Sequence, residues 1–392
     1  MNPSLLFIFI TVFVDLLGYG IMLPLLPFYV QAQDGGAAIA GALTSLYAST
    51  QLFAGPVLGA LSDRYGRRPV LLICLFGTSL GYLMLGLANT LPLIFLAVFI
   101  DGLTGANLTT AYAYIADVTT KENRARGMGM VGAAFGLGLM AGPALGGLLS
   151  GYGLYVPAFT ASAIALSNVI FGFFVLPESL PPEKREIKSI SQIFNWGKQF
   201  TSFFRQINIQ KLLISMFLLN LAFSGLQSNF PLYSNFRFQW TPTQNSFFYL
   251  YVGLCAVFIQ GFLFGKLQPR FGERNLTLFG LTFMAIGLAF MALARESWML
   301  YPAVTIVALG TGTSIPSLTA LVSLRVSESE QGRLMGGTQT LLSLTSIFGP
   351  VIAGISFEAI AFSAPYWLGS LFSIFALIVF YMSLRRSASH QP

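Results

Sequence analysis

Apolar residues in this chain come in long runs, and polar residues are confined to the intervals between them. The runs cover 4–30, 39–62, 69–89, 92–116, 127–150, 155–177, 209–236, 243–268, 275–294, 298–324, 332–356 and 363–384. Each reaches or exceeds the roughly 20 residues that a helix needs to cross the hydrocarbon core of a bilayer. None shows the alternating polarity, in segments of about ten residues, that marks a transmembrane strand. The pattern predicts an all-α membrane protein of about twelve transmembrane helices. Most intervals are too short for a soluble domain. The first run has no basic residues ahead of it, is too long for a secretory leader and contains Asp15, so it reads as a retained helix.

Composition agrees and narrows the class. Hydrophobic residues make up 55% of the chain and charged ones 9%, which leaves little for a solvated surface. The net charge of +7 is a matter of sidedness. When alternate intervals are assigned to one side, starting with the N-terminus, all of the 21 Lys and Arg residues except Arg237 and Arg295 fall on that side. The positive-inside rule then places both termini in the cytoplasm, and the basic surplus reports topology rather than nucleic-acid binding. Cys74 and Cys255 lie within apolar runs, giving no basis for a disulfide or zinc site. His390, the sole histidine, is in the C-terminal tail, so a histidine proton relay within the membrane is excluded. No nucleotide loop, metal cluster or nucleophile–base set is visible. Enzyme, cofactor and ATP-driven readings therefore have no support.

The chain also repeats itself. The frame Gly-x-Leu-x-x-Arg-aromatic-Gly-x-Arg occurs in GALSDRYGRRPV, Gly59 to Val70, and again in GKLQPRFGERNL, Gly265 to Leu276. Gly142-Pro143 returns as Gly349-Pro350, and Arg126 as Arg333. These landmarks share one spacing of about 207 residues, which predicts two six-helix halves in parallel repeat. The halves are 1–177 and 209–392, joined by a cytoplasmic linker at 178–208. Ile187, Ile190, Ile193, Phe194 and Phe204 give part of that linker an apolar face. It reads as a tether, with a short helix lying on anionic lipid as the alternative.

The interval after the second run, Gly59-x-Leu61-x-Asp63-Arg64-x-Gly66-Arg67-Arg68, packs opposite charges between glycines. Gly59 permits close helix approach, Gly66 a tight turn, and Asp63 suits the positive end of a helix dipole. This string resembles the signature of the major facilitator superfamily, and the likeness extends over the whole chain. The resemblance implies a cluster of Asp63, Arg67 and Asp117, with Arg64 and Arg68 at its edge, acting as a latch on the outward-facing state. The second copy has Pro269 in place of the acid, so a single strong latch is implied.

Gly138-x-x-x-Gly142-Pro143-x-x-Gly146-Gly147 resembles the antiporter motif of the same superfamily. It implies exchange of an exported substrate for protons. The opening Asp15-Leu-Leu-Gly18-Tyr19-Gly20, with Pro24 and Pro27, is similar to the drug/proton antiporters of twelve helices, the tetracycline-resistance exporters above all. So are Tyr114-Ile-Ala-Asp117, Arg237-Phe-x-Trp240 and Glu330-Gln-Gly332. The likeness stops at three coupling positions, where acid, acid and arginine are replaced by Gly81, Met284 and Val98.

Asp15 and Asp101 remain as acids within apolar runs. A charge at the bilayer centre costs at least about 2.5–3.5 kcal/mol, so such acids face a cavity or a partner. They are the candidates for proton coupling. For Asp15 the alternative is a protonated acid bonded to a backbone carbonyl beside Gly18 or Gly20. Candidate substrate contacts are Tyr19, Asn107, Tyr112, Asn220, Phe223, Gln227, Asn229, Phe230, Tyr233 and Gln260, with Phe28, Tyr29 and Tyr249 as further aromatic walls. Two functions fit: proton-coupled export of hydrophobic or cationic drugs, and export or facilitation of a lipid or metabolite without the usual relay. A receptor that transports nothing is the reading from another class. The resemblance further implies a monomer in the cell (inner) membrane, with lipids, protons and a small molecule as partners.

Overall fold

The structure is a computed structural model that describes residues 3–120, 124–185, 207–326 and 331–388. Among the described residues every regular element is helical. The helices are α1 Pro3–Met22, α2 Leu26–Gln31, α3 Ala37–Tyr65, α4 Arg67–Gly86, α5 Leu91–Thr104, α6 Leu108–Val118, α7 Arg124–Ser150 and α8 Tyr155–Val175. After the linker come α9 Ile207–Phe238, α10 Pro242–Phe258, α11 Phe264–Leu293, α12 Leu300–Ser323, α13 Gln331–Ala359 and α14 Ala364–Ala388. The linker's apolar face, Ile187 to Phe204, lies outside the described residues, as do the side chains of Arg126 and Arg333 and the Glu330-Gln-Gly332 string.

Among the described residues, nine helical spans are long and apolar enough to cross a membrane, and Ile8–Met22 is a shorter apolar helix. One of the nine, Pro242–Leu293, takes in two of the apolar runs, 243–268 and 275–294. The first run differs from expectation. It divides into α1 and α2 at residues 23–25, where Pro24 lacks an amide donor and clashes with a continuing helix. The two intervals that carry the repeated frame turn at glycines with positive φ: 108° at Gly66 and 69° at Gly272. That region costs a glycine little and a residue with a side chain much more.

The chain divides into two compact units. The first gathers Met1–Gly35, Leu46–Phe194 and Trp240–Leu250, the second Gly36–Ser45, Asn195–Gln239 and Tyr251–Pro392. In the first, α1 packs on α7 and α8, and α4 packs on α5 and α8. In the second, α9 packs on α13 and α14, and α11 on α12 and α14. Each pairing in one unit has its repeat-related counterpart in the other.

The matched pairings share details. A Cβ on Gly142 of α7 would lie 2.6 Å from Gly20 Cα of α1, and one on Gly349 of α13 would lie 2.9 Å from Ser224 Cβ of α9. Ser162 of α8 donates its hydroxyl to the Ser79 carbonyl at 2.8 Å, and Ser370 of α14 donates to the Ala285 carbonyl at 2.8 Å. The repeat read from sequence landmarks thus recurs in helix pairing and in single hydrogen bonds. Around α1 the first unit's core includes Ile8, Val12, Leu16, Leu71, Ala111, Tyr114, Ile115 and Leu176.

Candidate functional site

The charged knot between α3 and α4 folds into a network centred on Arg67. Its Nη1 lies 2.6 Å from Asp63 Oδ1, and its Nε lies 3.1 Å from Asp117 Oδ2 at the end of α6. Nη1 also donates to Ser62 Oγ at 2.7 Å. The three residues assembled by sequence reasoning are therefore in contact, and Arg67 is buried. Arg64 is exposed, its guanidinium 5.0 Å from the Tyr65 ring centroid. Arg68 donates to the Phe173 carbonyl of α8 and lies over that residue's ring. Among the described residues, a Cβ on Gly59 would meet nothing within 4 Å.

Sequence reasoning missed one member of this network. Glu178, the first residue of the linker, turns its carboxylate onto the N-terminus of α4. Oε1 accepts from the Arg67 amide at 2.9 Å, and Oε2 from the Arg68 amide at 3.2 Å. A helix N-terminus leaves amides without intrahelical partners, and an anion there also meets the positive end of the dipole. Gly66 leaves room for this cap, since a Cβ there would collide with Glu178 Oε2. Ser179 Oγ donates to Asp117 Oδ2 at 3.1 Å, and Tyr114 donates its hydroxyl to the Pro177 carbonyl at 3.0 Å. Nothing in the sequence separates Glu178 from the other linker acids.

The antiporter-type motif of α7 is a contact surface. Cβ atoms on Gly138, Gly142 and Gly146 would lie 2.8 Å from Leu16 Cβ, 2.6 Å from Gly20 Cα and 2.7 Å from the Ile21 carbonyl oxygen. Gly20 in turn lies against Pro143, whose Cδ is 3.3 Å from where a Gly20 Cβ would stand. Gly147 receives α10: a Cβ there would collide with Ser246 Cβ, and the Gly147 carbonyl accepts from Thr243 Oγ1 at 3.0 Å. The helix is continuous through Pro143.

Both intramembrane acids belong to one polar cluster in the first unit. Asp15 Oδ2 accepts from Asn107 Nδ2 at 3.0 Å, so its partner is an amide and Asn107 is committed to it. Asn107 is placed by a break between α5 and α6. A 3-10 turn covers Gly105–Asn107, with Ala106 at φ −77° and ψ 19°. The carbonyl of Gly105 at the break accepts from Gln51 Nε2 at 3.1 Å, and that nitrogen also donates to Tyr47 Oη at 2.9 Å. Asp101 sits one turn ahead of the break. Its Oδ1 has no hydrogen-bond partner among the described residues, and the residue is 9% exposed.

Gly81, one of the three departures from the exporter pattern, leaves no free space. A Cβ there would lie 2.9 Å from Asp101 Cβ and 3.1 Å from the Ala97 carbonyl oxygen. Tyr19 stacks on Tyr47, with ring centroids 5.6 Å apart and planes at 21°. Tyr47 and Gln51 on α3, and Thr78 and Tyr82 on α4, were not singled out from the sequence. Their signal is a polar pair at i, i+4 within an apolar run.

The remaining candidates lie on α6, on α9 and in the turn between α10 and α11. Tyr112 is 40% exposed on α6. Asn220 donates to the Met216 carbonyl of its own helix at 2.8 Å. Phe223 and Gln227 are half-buried on α9. Asn229 and Phe230 are buried there, with Asn229 Nδ2 at 3.5 Å from the Ala353 carbonyl oxygen. Tyr233 is fully buried, donates to the Met291 carbonyl at 2.6 Å and packs 4.4 Å, centroid to centroid, from Tyr366. Gln260 is exposed in a π-helical turn, Ile259–Leu263.

Comparison with known proteins adds independent support. The family model described as Major Facilitator Superfamily matches residues 8–294 and 238–392. The chain is 34% identical over 396 residues to the class C tetracycline resistance protein of Escherichia coli, covering 99% of this chain and 98% of that protein. It is 32% identical over 350 residues to multidrug resistance protein 2 of Bacillus subtilis (strain 168), covering 88% of this chain and 87% of that one. The crystal structure of the nucleoside transporter NupG aligns with a TM-score of 0.78 at 17% identity, covering 98% of this chain and 99% of the other. That of the human organic anion transporter MFSD10 aligns with a TM-score of 0.71 at 24% identity, covering 97% of this chain and 99% of the other.

Proposed function

The chain belongs to the major facilitator superfamily, a family of membrane transporters rather than enzymes, and from that premise we propose that it exports small hydrophobic or cationic drugs in exchange for protons. The relatives named for tetracycline and multidrug resistance support efflux. The observation that carries the coupling is the pair of acids in one cluster. Asp15 is bonded to Asn107, and one oxygen of Asp101 has no partner among the described residues. Among the described residues neither acid forms an ion pair. A carboxylate in a low-dielectric site without a fixed counter-charge exchanges its charge with a proton or a ligand.

In this reading the halves 1–177 and 209–392 alternate in exposing the cluster to the two sides of the cell (inner) membrane. The termini are cytoplasmic and the working unit is a monomer among lipids. Asp63, Arg67 and Asp117 latch one state, and the glycines of α7 let α1, which bears Asp15, slide on a close and smooth contact. Asn220, Phe223 and Gln227 contribute substrate contacts from α9, with Gln260 from the π-helical turn.

The test is proton-coupled efflux in proteoliposomes with an imposed pH gradient. Asp15→Asn and Asp101→Asn each lower coupled flux by at least about tenfold, an effect of the size ordinarily found for a positioned proton-transfer group. Full coupled flux in both variants removes the reading. The second reading, a lipid or metabolite facilitator, rests on Gly81, Val98 and Met284 standing where coupling groups stand in the exporters. It takes over if substrate flux is unchanged by an uncoupler.

A further inference from the structure

On the side of Asp15 that leads to the knot around Arg67, three buried polar atoms have no hydrogen-bond partner among the described residues. They are Thr11 Oγ1 on α1, Thr110 Oγ1 on α6 and Asn168 Oδ1 on α8. Their residues are 2%, 0% and 3% exposed. A threonine in a helix commonly donates its hydroxyl to the carbonyl four residues back. Thr44, Thr50, Thr104 and Thr160 do so in this chain, and Thr11 and Thr110 do not. Leaving a buried polar atom unmatched costs about 1–3 kcal/mol, and internal water is the usual partner of such groups.

The three atoms stand close to the acid. Asn168 donates its Nδ2 to the Thr11 backbone carbonyl at 2.9 Å, so its Oδ1 and the Thr11 hydroxyl flank one hydrogen bond across the α1–α8 contact. Thr11 is four residues before Asp15 on α1. Thr110 is three residues after Asn107 on α6, and Asn107 donates to Asp15 at 3.0 Å. Residues at these spacings share a helix face, with Cβ atoms about 5–6 Å apart. Two O–H···O bonds in series, each about 2.7–2.8 Å, span that distance. One water therefore reaches from the Thr11 hydroxyl to the Asp15 carboxylate.

We propose that Thr11, Thr110 and Asn168 hold internal water between α1, α6 and α8, and that this water relays the proton of Asp15 on the side of the knot. The inference rests on the efflux reading and adds the proton's route to it. When Asp15 gives up its proton, its O–H bond breaks as the adjoining water forms a new one. Each water and each threonine hydroxyl along the way then accepts one proton and releases another, so Asp15 alone is left changed in charge. A hydroxyl suits this task because it donates and accepts at once. Asn168 Oδ1 only accepts hydrogen bonds and fixes the water in place. The core surfaces beside the site, Ile8 and Val12 with Ala111 and Ile115, are apolar, so the three polar atoms decide where water stands. One turn past Thr110, Tyr114 carries its hydroxyl to the Pro177 carbonyl at the knot, where the route ends.

Hydrogen–deuterium exchange at the Asp15 carboxyl group tests this without any substrate. The full-length protein in lipid vesicles is mixed with heavy water at mildly acidic pH. Time-resolved infrared spectroscopy then follows the carboxylic C=O band that Asp15→Asn removes. Thr11→Val exchanges the hydroxyl for a methyl of nearly equal size and is expected to slow the exchange by about tenfold or more. Thr11→Ser restores the parent rate. Because the Thr11 hydroxyl has no protein partner, Thr11→Val leaves the thermal unfolding midpoint unchanged or raised, which separates a relay from a structural role. Ser317, at the place of Thr110 in the second repeat, is also fully buried with an unpartnered hydroxyl among the described residues, and Ser317→Ala leaves the exchange at Asp15 unchanged. Exchange at the parent rate in Thr11→Val overturns the proposal. So does a spectrum in which Asp15→Asn removes no carboxylic band, or a crystal structure in which the Thr11 hydroxyl donates directly to Asn168 Oδ1 with no water between. Coupled flux in proteoliposomes judges the efflux reading apart. Full flux in both acid variants removes that reading, whereas flux lost in Asp15→Asn with parent-rate exchange in Thr11→Val removes the relay alone.

Discussion

Arg67 holds two carboxylates and a hydroxyl with one guanidinium, and it does so while 7% exposed. Removing the cation takes away the guanidinium that joins Asp63 and Asp117. Arg67→Ala is expected to cost about 3–5 kcal/mol, as breaking a buried pair does. Arg67→Lys recovers less than half of this, because a single ammonium nitrogen cannot take the places of both Nε and Nη1 of the planar guanidinium. Thermal unfolding of the purified protein in detergent measures both. At Gly81 the constraint is volume. A methyl group there meets Asp101 Cβ at 2.9 Å and backbone at 3.1 Å. Gly81→Ala is expected to destabilise by about 1–3 kcal/mol through overpacking. An unfolding midpoint equal to the parent's would mean that α4 and α5 part easily at Asp101.

Among the elements, α4 begins with a cap borrowed from far along the chain. Glu178→Ala removes four accepted amide bonds, from Arg67, Arg68, Ser179 and Leu180. Loss of an N-cap costs about 0.5–2 kcal/mol. Hydrogen exchange is expected to rise at the first amides of α4 and to stay unchanged in α8. This cap also shows where sequence reasoning stops. The helices were legible because bilayer thickness imposes one length on every apolar run. The contact of Arg67 with Asp63 and Asp117 was expected from the resemblance to the superfamily signature, since nothing local in the sequence joins positions 67 and 117. Glu178 was not, because its role depends on a tertiary approach between positions 67 and 178. Tyr47, Gln51, Thr78 and Tyr82 were hidden for a related reason. A polar pair at i, i+4 in an apolar helix does not say which neighbour it faces.

Taken as a whole, the molecule applies one packing scheme twice. Ser79 with Ser162 and Ala285 with Ser370 are counterparts under the repeat, and each Ser donates across an α4–α8 or α11–α14 contact. Ser162→Ala and Ser370→Ala are expected to cost similar amounts, about 0.5–1.5 kcal/mol each. Their effects add, because the two bonds lie in separate units. Chemical denaturation of the single and double variants checks this. The repeat is broken where charge matters. Asp63 has no acidic counterpart in the second copy, where Pro269 stands in the frame and Glu273 accepts from Gln268 at 2.8 Å. The acids of the polar cluster, Asp15 and Asp101, likewise belong to the first unit alone among the described residues of the two.

The carboxylate of Glu178 ties the start of the linker into the knot around Arg67, so the peptide leaving α8 is a strut before it is a tether. A transporter produced as two separate polypeptides will tell the difference. A break after residue 185 leaves the strut on the first piece, and co-expressed fragments are expected to reassemble and pump. A break ahead of residue 178 strips it away, and the same pair of fragments is expected to assemble with a loosened knot and a faltering cycle.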